Sequence, residues 1–304
     1  MKAVVVTGGL GFIGGHLVRH LTANGYHCWV VDAETYAANL GLLDELDMEY
    51  WCGDIATLRH IPDVDAVINL AAETHVDNSI TDARRFVWSN FVGVQNLLEL
   101  VRAKRQYEMP RFIQISTDEV YGSIDQGSTL ETAPLNPRSP YAASKAAADF
   151  LVQAYATTHD VPFSIVRPSN CYGTGQYREK LIPKAISHFT HGKAMTVHDT
   201  GEHRRSWLWV GDCVTAIHTV LEQGQPWETY NIGGNTEASI GDVVNAIATH
   251  FDKPQVHMQY KRAGVDHRYC VNDNKLRKLG WTPTGDLFRD LPKIVETERS
   301  QWRW

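Results

Sequence analysis

The stretch Ile115-Ser116-Thr117-Asp118-Glu119-Val120-Tyr121-Gly122 sets a hydroxyl and two adjacent carboxylates directly behind the apolar run Arg111 to Ile115. A strand that simply reaches solvent can also end in acids, so other residues must decide between the two. An adjacent acid and base can move two protons in one reaction, one carboxylate abstracting while the other, protonated, donates. A second pair lies in Ser139-Pro140-Tyr141-Ala142-Ala143-Ser144-Lys145, where Tyr141 and Lys145 stand four apart behind a proline suited to a helix start. One helical turn stacks them on one face, and a nearby ammonium lowers a phenol pKa, giving a base for a hydroxyl proton. A Tyr packed on an aliphatic Lys stem is the plain alternative.

The context that favours chemistry is at the amino terminus. Val4 to Gly14 contains Gly8, Gly11 and Gly14 spaced as GxxGxxG between a predicted strand and a predicted helix, with Phe12 and Ile13 in the same turn. Glycine permits the tight turn and lets a pyrophosphate approach the backbone N–H groups of a helix N-terminus. Asp32 closes the second strand, Val30-Val31-Asp32, at about the 20-residue distance where a carboxylate takes the ribose hydroxyls. With an acid there and no neighbouring Arg, NAD is expected rather than NADP. Asp54 and Ile55 are candidate adenine contacts, and Leu70, Ala71 and Ala72 end a further strand with side chains that would let a cofactor lie close. Ordinary loop packing would use the same residues.

These residues need a scaffold, and the first half of the chain alternates short β-branched runs with helical patterns. Ala3 to Thr7, Cys28 to Val31, Val64 to Leu70, Arg111 to Ser116 and Phe163 to Val166 read as strands, several apolar throughout and therefore covered on both faces. Phe12 to Ala23, Asp82 to Lys104 and Tyr141 to Thr158 have helical spacing. The expected architecture is α/β, a doubly wound parallel sheet of the Rossmann type, with ligands beyond the carboxyl ends of the strands. After Pro168 the rhythm changes to the loop CYGTGQ, a strand at Trp207 to Val210 and a helix at Ile240 to His250 begun by Ser239 and Asp242. A dinucleotide domain over residues 1–168 and a smaller substrate lobe over 169–304, with some segments returning to the first, are predicted.

Bulk composition narrows the partners. The chain has 304 residues, 43% hydrophobic and 21% charged, enough for a sizeable core. The formal charge of -6 and scattered Lys and Arg argue against nucleic acid or an anionic membrane. Cys28, Cys52, Cys171, Cys213 and Cys270 form no ligand cluster, so buried reduced thiols and no metal are expected. His188 and His191 share a helical face without a third ligand nearby. No apolar run reaches the ~18 residues of a membrane span, and a cytoplasmic protein without a cleaved signal is expected.

GxxGxxG, YxxxK and the fold pattern together resemble the extended short-chain dehydrogenase/reductase superfamily, which acts largely on nucleotide sugars. Within it, STDEVYG is similar to the signature of the nucleoside-diphosphate-glucose 4,6-dehydratases, above all those acting on dTDP-glucose. GDP-mannose dehydratases and UDP-glucuronate decarboxylases usually have Ser where Asp118 stands. The resemblance implies that Thr117 hydrogen-bonds the C4 oxygen, Asp118 is the general acid, Glu119 the general base, and Tyr141 with Lys145 the redox couple. It further implies substrate contacts for His75, Asn170, Glu179, Lys180, Arg205 and Asn231, and a homodimer. On the helix Asp82 to Lys104, Phe86, Asn90, Val94 and Leu97 are expected to face either a lobe of the chain or another subunit, the latter making a dimer interface as in the family. Where the family has a stretch like RPGHDRRY, this chain reads Arg262 to Tyr269, so Val265 stands at the nucleotide-side histidine and His267 is the nearby replacement.

Other functions remain at this stage. An epimerase or decarboxylase would keep Tyr141 and Lys145 without needing both acids, and a related dehydratase would take a UDP- or GDP-sugar. A silent NAD sensor would need only Gly8, Gly11, Gly14 and Asp32.

Overall fold

The run Ala3-Val4-Val5-Val6-Thr7 is apolar almost throughout because it lies at the centre of a parallel sheet packed on both faces. The computed structural model describes residues 2–104, 109–198, 201–252, 254–259 and 266–300. In it this run is β1 (Ala3–Thr7), with Val4 and Val6 in one core and Val5 in the core opposite. β2 (His27–Asp32) and β3 (Glu49–Cys52) extend the sheet on one side of β1, and β4 (Ala66–Asn69), β5 (Arg111–Ile115) and β6 (Phe163–Pro168) on the other. The later strands are β7 (Asn170–Tyr172), β8 (Met195–His198), β9 (Arg204–Trp209), β10 (Glu228–Ile232), β11 (Thr236–Ser239) and β12 (Val256–Gln259). β10 pairs in parallel with β6, so the seven-stranded order is β10-β6-β5-β4-β1-β2-β3. β11-β9-β7 make a three-stranded sheet, and β12 and β8 a two-stranded one.

The helices are α1 (Phe12–Ala23), α2 (Leu42–Glu45), α3 (Val76–Thr81), α4 (Arg84–Val87), α5 (Gly93–Arg102), α6 (Pro140–His159), α7 (Leu181–Thr190), α8 (Val210–Gln223), α9 (Ile240–Ala248), α10 (Asn274–Arg277) and α11 (Leu287–Ser300). α1 and α8 bury Leu17, Val18, Leu21, Ile217 and Val220 on one face of the large sheet. α5 and α6 bury Leu97, Leu98, Val101 and Val152 on the other. α7, α9 and α11 enclose a separate core with Trp207 and Tyr172. This is the doubly wound architecture expected, with β10 carrying a late segment back into the first sheet. No described helix is long and apolar enough to cross a membrane.

The predicted helix from Asp82 to Lys104 is interrupted. A π-helical turn spans Trp88–Val92 between α4 and α5, an extra residue that turns Asn90 inward. The Asn90 amide donates to Glu73 O at 3.0 Å and Ser144 Oγ at 2.9 Å, tying the loop after β4 to α6. Of the two expectations for Phe86, Asn90, Val94 and Leu97, packing within their own chain is the one found: they are at most 2% exposed and leave no face for another subunit. The apolar side chains facing outward are Val87 and Trp88. The thiols are free, but only Cys28 and Cys213 are buried, whereas Cys52 is exposed and Cys171 and Cys270 are half-buried. His188 and His191 are bonded through Nδ1 to the carbonyls of Ala194 and Ser187. Val265, Trp302 and Trp304 lie outside the described residues.

Candidate active site

The seven parallel strands of the large sheet end along one edge, and a cavity of about 320 Å³ opens there. Its floor is the turn from β1 into α1. Gly8 has φ +69°, and a β-carbon on it would lie 2.7 Å from Ala71 N, while one on Gly14 would lie 2.1 Å from Gly8 O. Those two glycines are required by the protein itself. Gly11 is different: it caps α1, and a β-carbon there would meet only Gly8 O, at 3.2 Å. Its bareness leaves the helix N-terminus open to the cavity, where the peptide dipoles favour an anion. Asp32 accepts from Leu10 N at 3.0 Å and Glu34 N at 2.9 Å, leaving further lone pairs for hydroxyl donors. Asp54 accepts from Ala56 N and from Trp88 Nε1, each at 2.8 Å, and Ile55, Leu70, Ala71 and Ala72 complete the same wall. A cradle that added β-carbons would fill, a helix N-terminus and an acid at the end of β2 fit a dinucleotide.

Exchanging these glycines should separate fold from ligand. Gly14→Ala is expected to lower the melting temperature, since the overpacked methyl costs about 1–3 kcal/mol. Gly11→Ala is expected to keep the melting temperature and lose the stabilisation that added NAD gives; equal behaviour of the two variants in thermal melts would refute this division.

Thr117, Asp118, Glu119, Tyr141 and Lys145 line the inner end of the same cavity. Thr117 ends β5 and caps the short helical turn Asp118–Tyr121, its Oγ1 accepting from Glu119 N at 3.3 Å and donating to Asp118 Oδ1 at 3.4 Å. Ser139 caps α6 by accepting from Ala142 N at 3.1 Å, with Pro140 in its first turn, and this aims Tyr141 and Lys145 at the strand end. Asp118 is 3% exposed and its Oδ2 has no hydrogen-bond partner among the described residues. Burial, then the neighbouring Glu119 charge, push its pKa up to about 8, so it holds a proton at neutral pH.

The phenol does not behave as its spacing suggested. Burial, and after it the Glu119 charge, hold Tyr141 above its usual range, against an opposing hydrogen bond with Thr117. Lys145 donates instead to the carbonyl oxygen of Ile115 on β5. Four-residue spacing stacks the two stems, yet the longer lysine stem carries its ammonium past the phenol to the strand. Burial lowers Lys145 to about 8, opposed by Asp149 one turn further along α6.

The expected substrate contacts divide. Asn170, Glu179 and Lys180 line the cavity, and Asn170 Oδ1 is buried without a hydrogen-bond partner among the described residues. Lys180 Nζ donates to Thr74 O at 3.0 Å and Thr74 Oγ1 at 3.1 Å, while Tyr36 OH donates to Glu179 Oε1 at 3.3 Å. Those contacts bridge loops far apart in sequence across the cavity. Tyr36 and Tyr177 lie in loops without periodicity, so nothing in the sequence singled them out; Thr74 and Gln176 belong to loops that stood out as stretches, without a role for either residue.

His75 lies outside the lining and caps α3, its Nδ1 accepting from Asn78 N at 3.4 Å. Arg205 also lies outside it, stacked 4.4 Å over the Tyr269 ring and donating to Asp266 O at 3.1 Å, though its charge still reaches Asp118. His267 stacks on His203 with ring centres 5.3 Å apart. Asn231 is a correction: it is fully buried in β10, accepting from Tyr121 OH at 2.8 Å and donating to Thr129 O and Asn272 O at 3.0 and 3.2 Å. At zero exposure and with both amide hydrogens given to carbonyls, Asn231 ties β10 to neighbouring loops and does not line the cavity.

A dinucleotide cradle, a tyrosine–lysine pair and a hydroxyl at the end of a doubly wound sheet define a short-chain dehydrogenase/reductase of the extended kind. The acid pair narrows the class, and comparison with known proteins agrees. The sequence model of the family described as GDP-mannose 4,6 dehydratase matches residues 5–291. The low-salt glycan biosynthesis protein Agl12 of Haloferax volcanii is 42% identical, over 96% of this chain and 97% of its own. A dTDP-glucose 4,6-dehydratase of Xanthomonas campestris pv. campestris is 40% identical, over 100% of this chain and 95% of its own. The crystal structure of DesIV, a dTDP-glucose 4,6-dehydratase from Streptomyces venezuelae with NAD bound, superposes with a TM-score of 0.93 at 35% identity, covering 100% of this chain and 98% of DesIV. The chain belongs to the nucleotide-sugar 4,6-dehydratase family.

Proposed function

We propose that this chain is an NAD-dependent hydro-lyase that converts a nucleoside-diphosphate hexose, dTDP-glucose, to its 4-keto-6-deoxy product. The observation that carries this is the placing of Asp118 and Glu119 in one cavity with Thr117, Tyr141 and Lys145. Oxidation or epimerisation at C4 needs the hydroxyl, the phenol and the ammonium; two further carboxyl groups answer to an elimination. The relatives bearing the name dTDP-glucose 4,6-dehydratase support that substrate.

Bound at Gly8, Gly11, Gly14 and Asp32, NAD supplies a hydride acceptor for C4 and the same hydride for C6 at the end of the cycle. Thr117 binds the C4 oxygen, and Tyr141 would take the proton of its hydroxyl once the positive charge of a bound nicotinamide and the Lys145 ammonium offset the burial that holds the phenol high. A ketone at C4 makes the C5 proton acidic. Glu119 removes that proton, and Asp118, protonated below about pH 8, gives its own to the C6 hydroxyl, which departs as water; Glu119, after exchange with solvent, returns a proton to C5 as hydride reaches C6. Asn170, Glu179 and Lys180 take the sugar and diphosphate inside the cavity, while His75 and Arg205 reach them only if substrate binding draws them in; residues 1–168 hold the cofactor and residues 169–304 mainly the nucleotide sugar.

A homodimer in the cytoplasm completes the proposal. Val87, Trp88 and Phe150 are 51%, 47% and 58% exposed, an apolar surface suited to a second copy, and five free thiols suit a reducing compartment.

The test is incubation with dTDP-glucose, UDP-glucose and GDP-mannose in deuterated water, followed by mass spectrometry. Loss of water with one deuterium placed at C5, from the dTDP sugar above the others, is the expected result. Inversion at C4 without loss of water would point to an epimerase and overturn the proposal.

A further inference from the structure

In the scheme above only Thr117, Asp118 and Glu119 of the strand-end stretch meet substrate, yet the residues on either side are held just as firmly. Arg167 lies on β6, the strand beside β5, and is 2% exposed. Its Nε donates to Asp149 Oδ2 at 3.0 Å, and the same oxygen accepts from Ser116 Oγ at 3.0 Å. Its NH1 donates to Tyr121 OH at 2.7 Å, and its guanidinium carbon lies 4.8 Å over the Tyr121 ring. Tyr121 OH passes its own proton to Asn231 Oδ1 at 2.8 Å. One buried cation thus reaches Ser116, the residue before the catalytic trio, through Asp149, and Tyr121, two residues after it, directly.

We infer that Arg167 is a positioning residue that clamps both ends of the acid–base turn, with Asp149 and Tyr121 as its two jaws. The inference rests on the 4,6-dehydration proposed above and adds a residue set to it. Stability alone is a poor reason for this pair, because a buried ion pair is commonly replaceable by apolar groups of the same volume without loss. Apolar groups could not bond Ser116 and Tyr121 at once. Asp149 also follows Lys145 by one turn of α6. The clamp therefore ties the helix carrying Tyr141 and Lys145 to the turn carrying Asp118 and Glu119. Gly122 releases the chain after the turn at φ +74°, where a β-carbon would lie 2.4 Å from Asn136 O.

The variants are Tyr121→Phe and Ser116→Ala, each of which loosens one jaw while leaving the ion pair intact. Tyr155→Phe removes a hydroxyl bonded to Glu99 at the far end of α6 and serves as a control for general loss of stability. Misplacing a catalytic group by about 1 Å costs on the order of 100-fold. Water loss is therefore expected to fall roughly 10- to 100-fold in both jaw variants, with C4 oxidation and KM changed less than about twofold. The midpoint of Asp118, read by NMR of labelled aspartate, should drop toward the ordinary carboxylate range as the turn admits water. Equal loss of oxidation and elimination, or an Asp118 midpoint unmoved from wild type, would overturn the clamp. The titration needs no turnover, so it decides the clamp even if the wild-type chain dehydrates no sugar and the functional proposal falls.

Discussion

Asp118→Asn is expected to complete the oxidation at C4 and then stop, accumulating 4-keto hexose without loss of water. Loss of a positioned general acid costs about 100- to 10,000-fold, and Asn cannot donate a proton to a leaving hydroxyl. Glu119 is untouched in this variant, so the C5 proton should still exchange with deuterium. Exchange without water loss is a signature that a misfolded protein cannot imitate. If oxidation and elimination fall together, Asp118 is not the acid.

The same carboxyl predicts two pH responses. Wild-type dehydration should decline as pH rises through about 8, because Asp118 then gives up the proton it must donate and Lys145 loses its charge in the same region. Stability responds as well. An unfolded carboxyl ionises near about 4, whereas the folded Asp118 keeps its proton until about 8. Between those values the unfolded chain releases a proton that the folded chain retains, so rising pH favours unfolding and the stability present at low pH is lost. Asn carries no such charge. Thermal melts of Asp118→Asn against wild type should therefore show an advantage that grows from mildly acidic pH to about 8 and then levels; a difference independent of pH would show that burial does not hold the proton.

What was legible in the sequence is what short-range sterics and periodicity dictate. Gly8 and Gly14 were readable because their β-carbons would strike backbone atoms within the same turn and its neighbour strand. Ser139-Pro140 marked the start of α6, and the apolar β1 announced a sheet covered on both faces. What escaped depends on long-range partners. The π-helical turn at Trp88–Val92 answers to Asn90 reaching Glu73 and Ser144, which no helical period encodes. The family resemblance of Tyr230 to Gly234 implied a nucleotide contact for Asn231, but pairing of β10 with β6 buries it. The swing of Lys145 to Ile115 likewise depends on where β5 ends, and spacing along a helix says nothing about that.

Tyr141→Phe should fail one step earlier than Asp118→Asn. Without the phenolic oxygen the C4 hydroxyl keeps its proton, no ketone forms, and C5 never becomes acidic. Turnover should fall about 100- to 10,000-fold, and deuterium exchange at C5 should vanish along with water loss. Binding should survive, since the ring remains packed 6.3 Å from Phe86 and the hydroxyl gives up only its bond with Thr117. Calorimetric titration with NAD and the nucleotide sugar checks that half of the prediction. The contrast between the variants orders the steps: exchange survives when the acid is removed and disappears when the phenol is removed, only if oxidation precedes elimination. Exchange persisting in Tyr141→Phe would mean that C5 is acidified without a ketone at C4, and the tyrosine would lose its place as the base that opens the reaction.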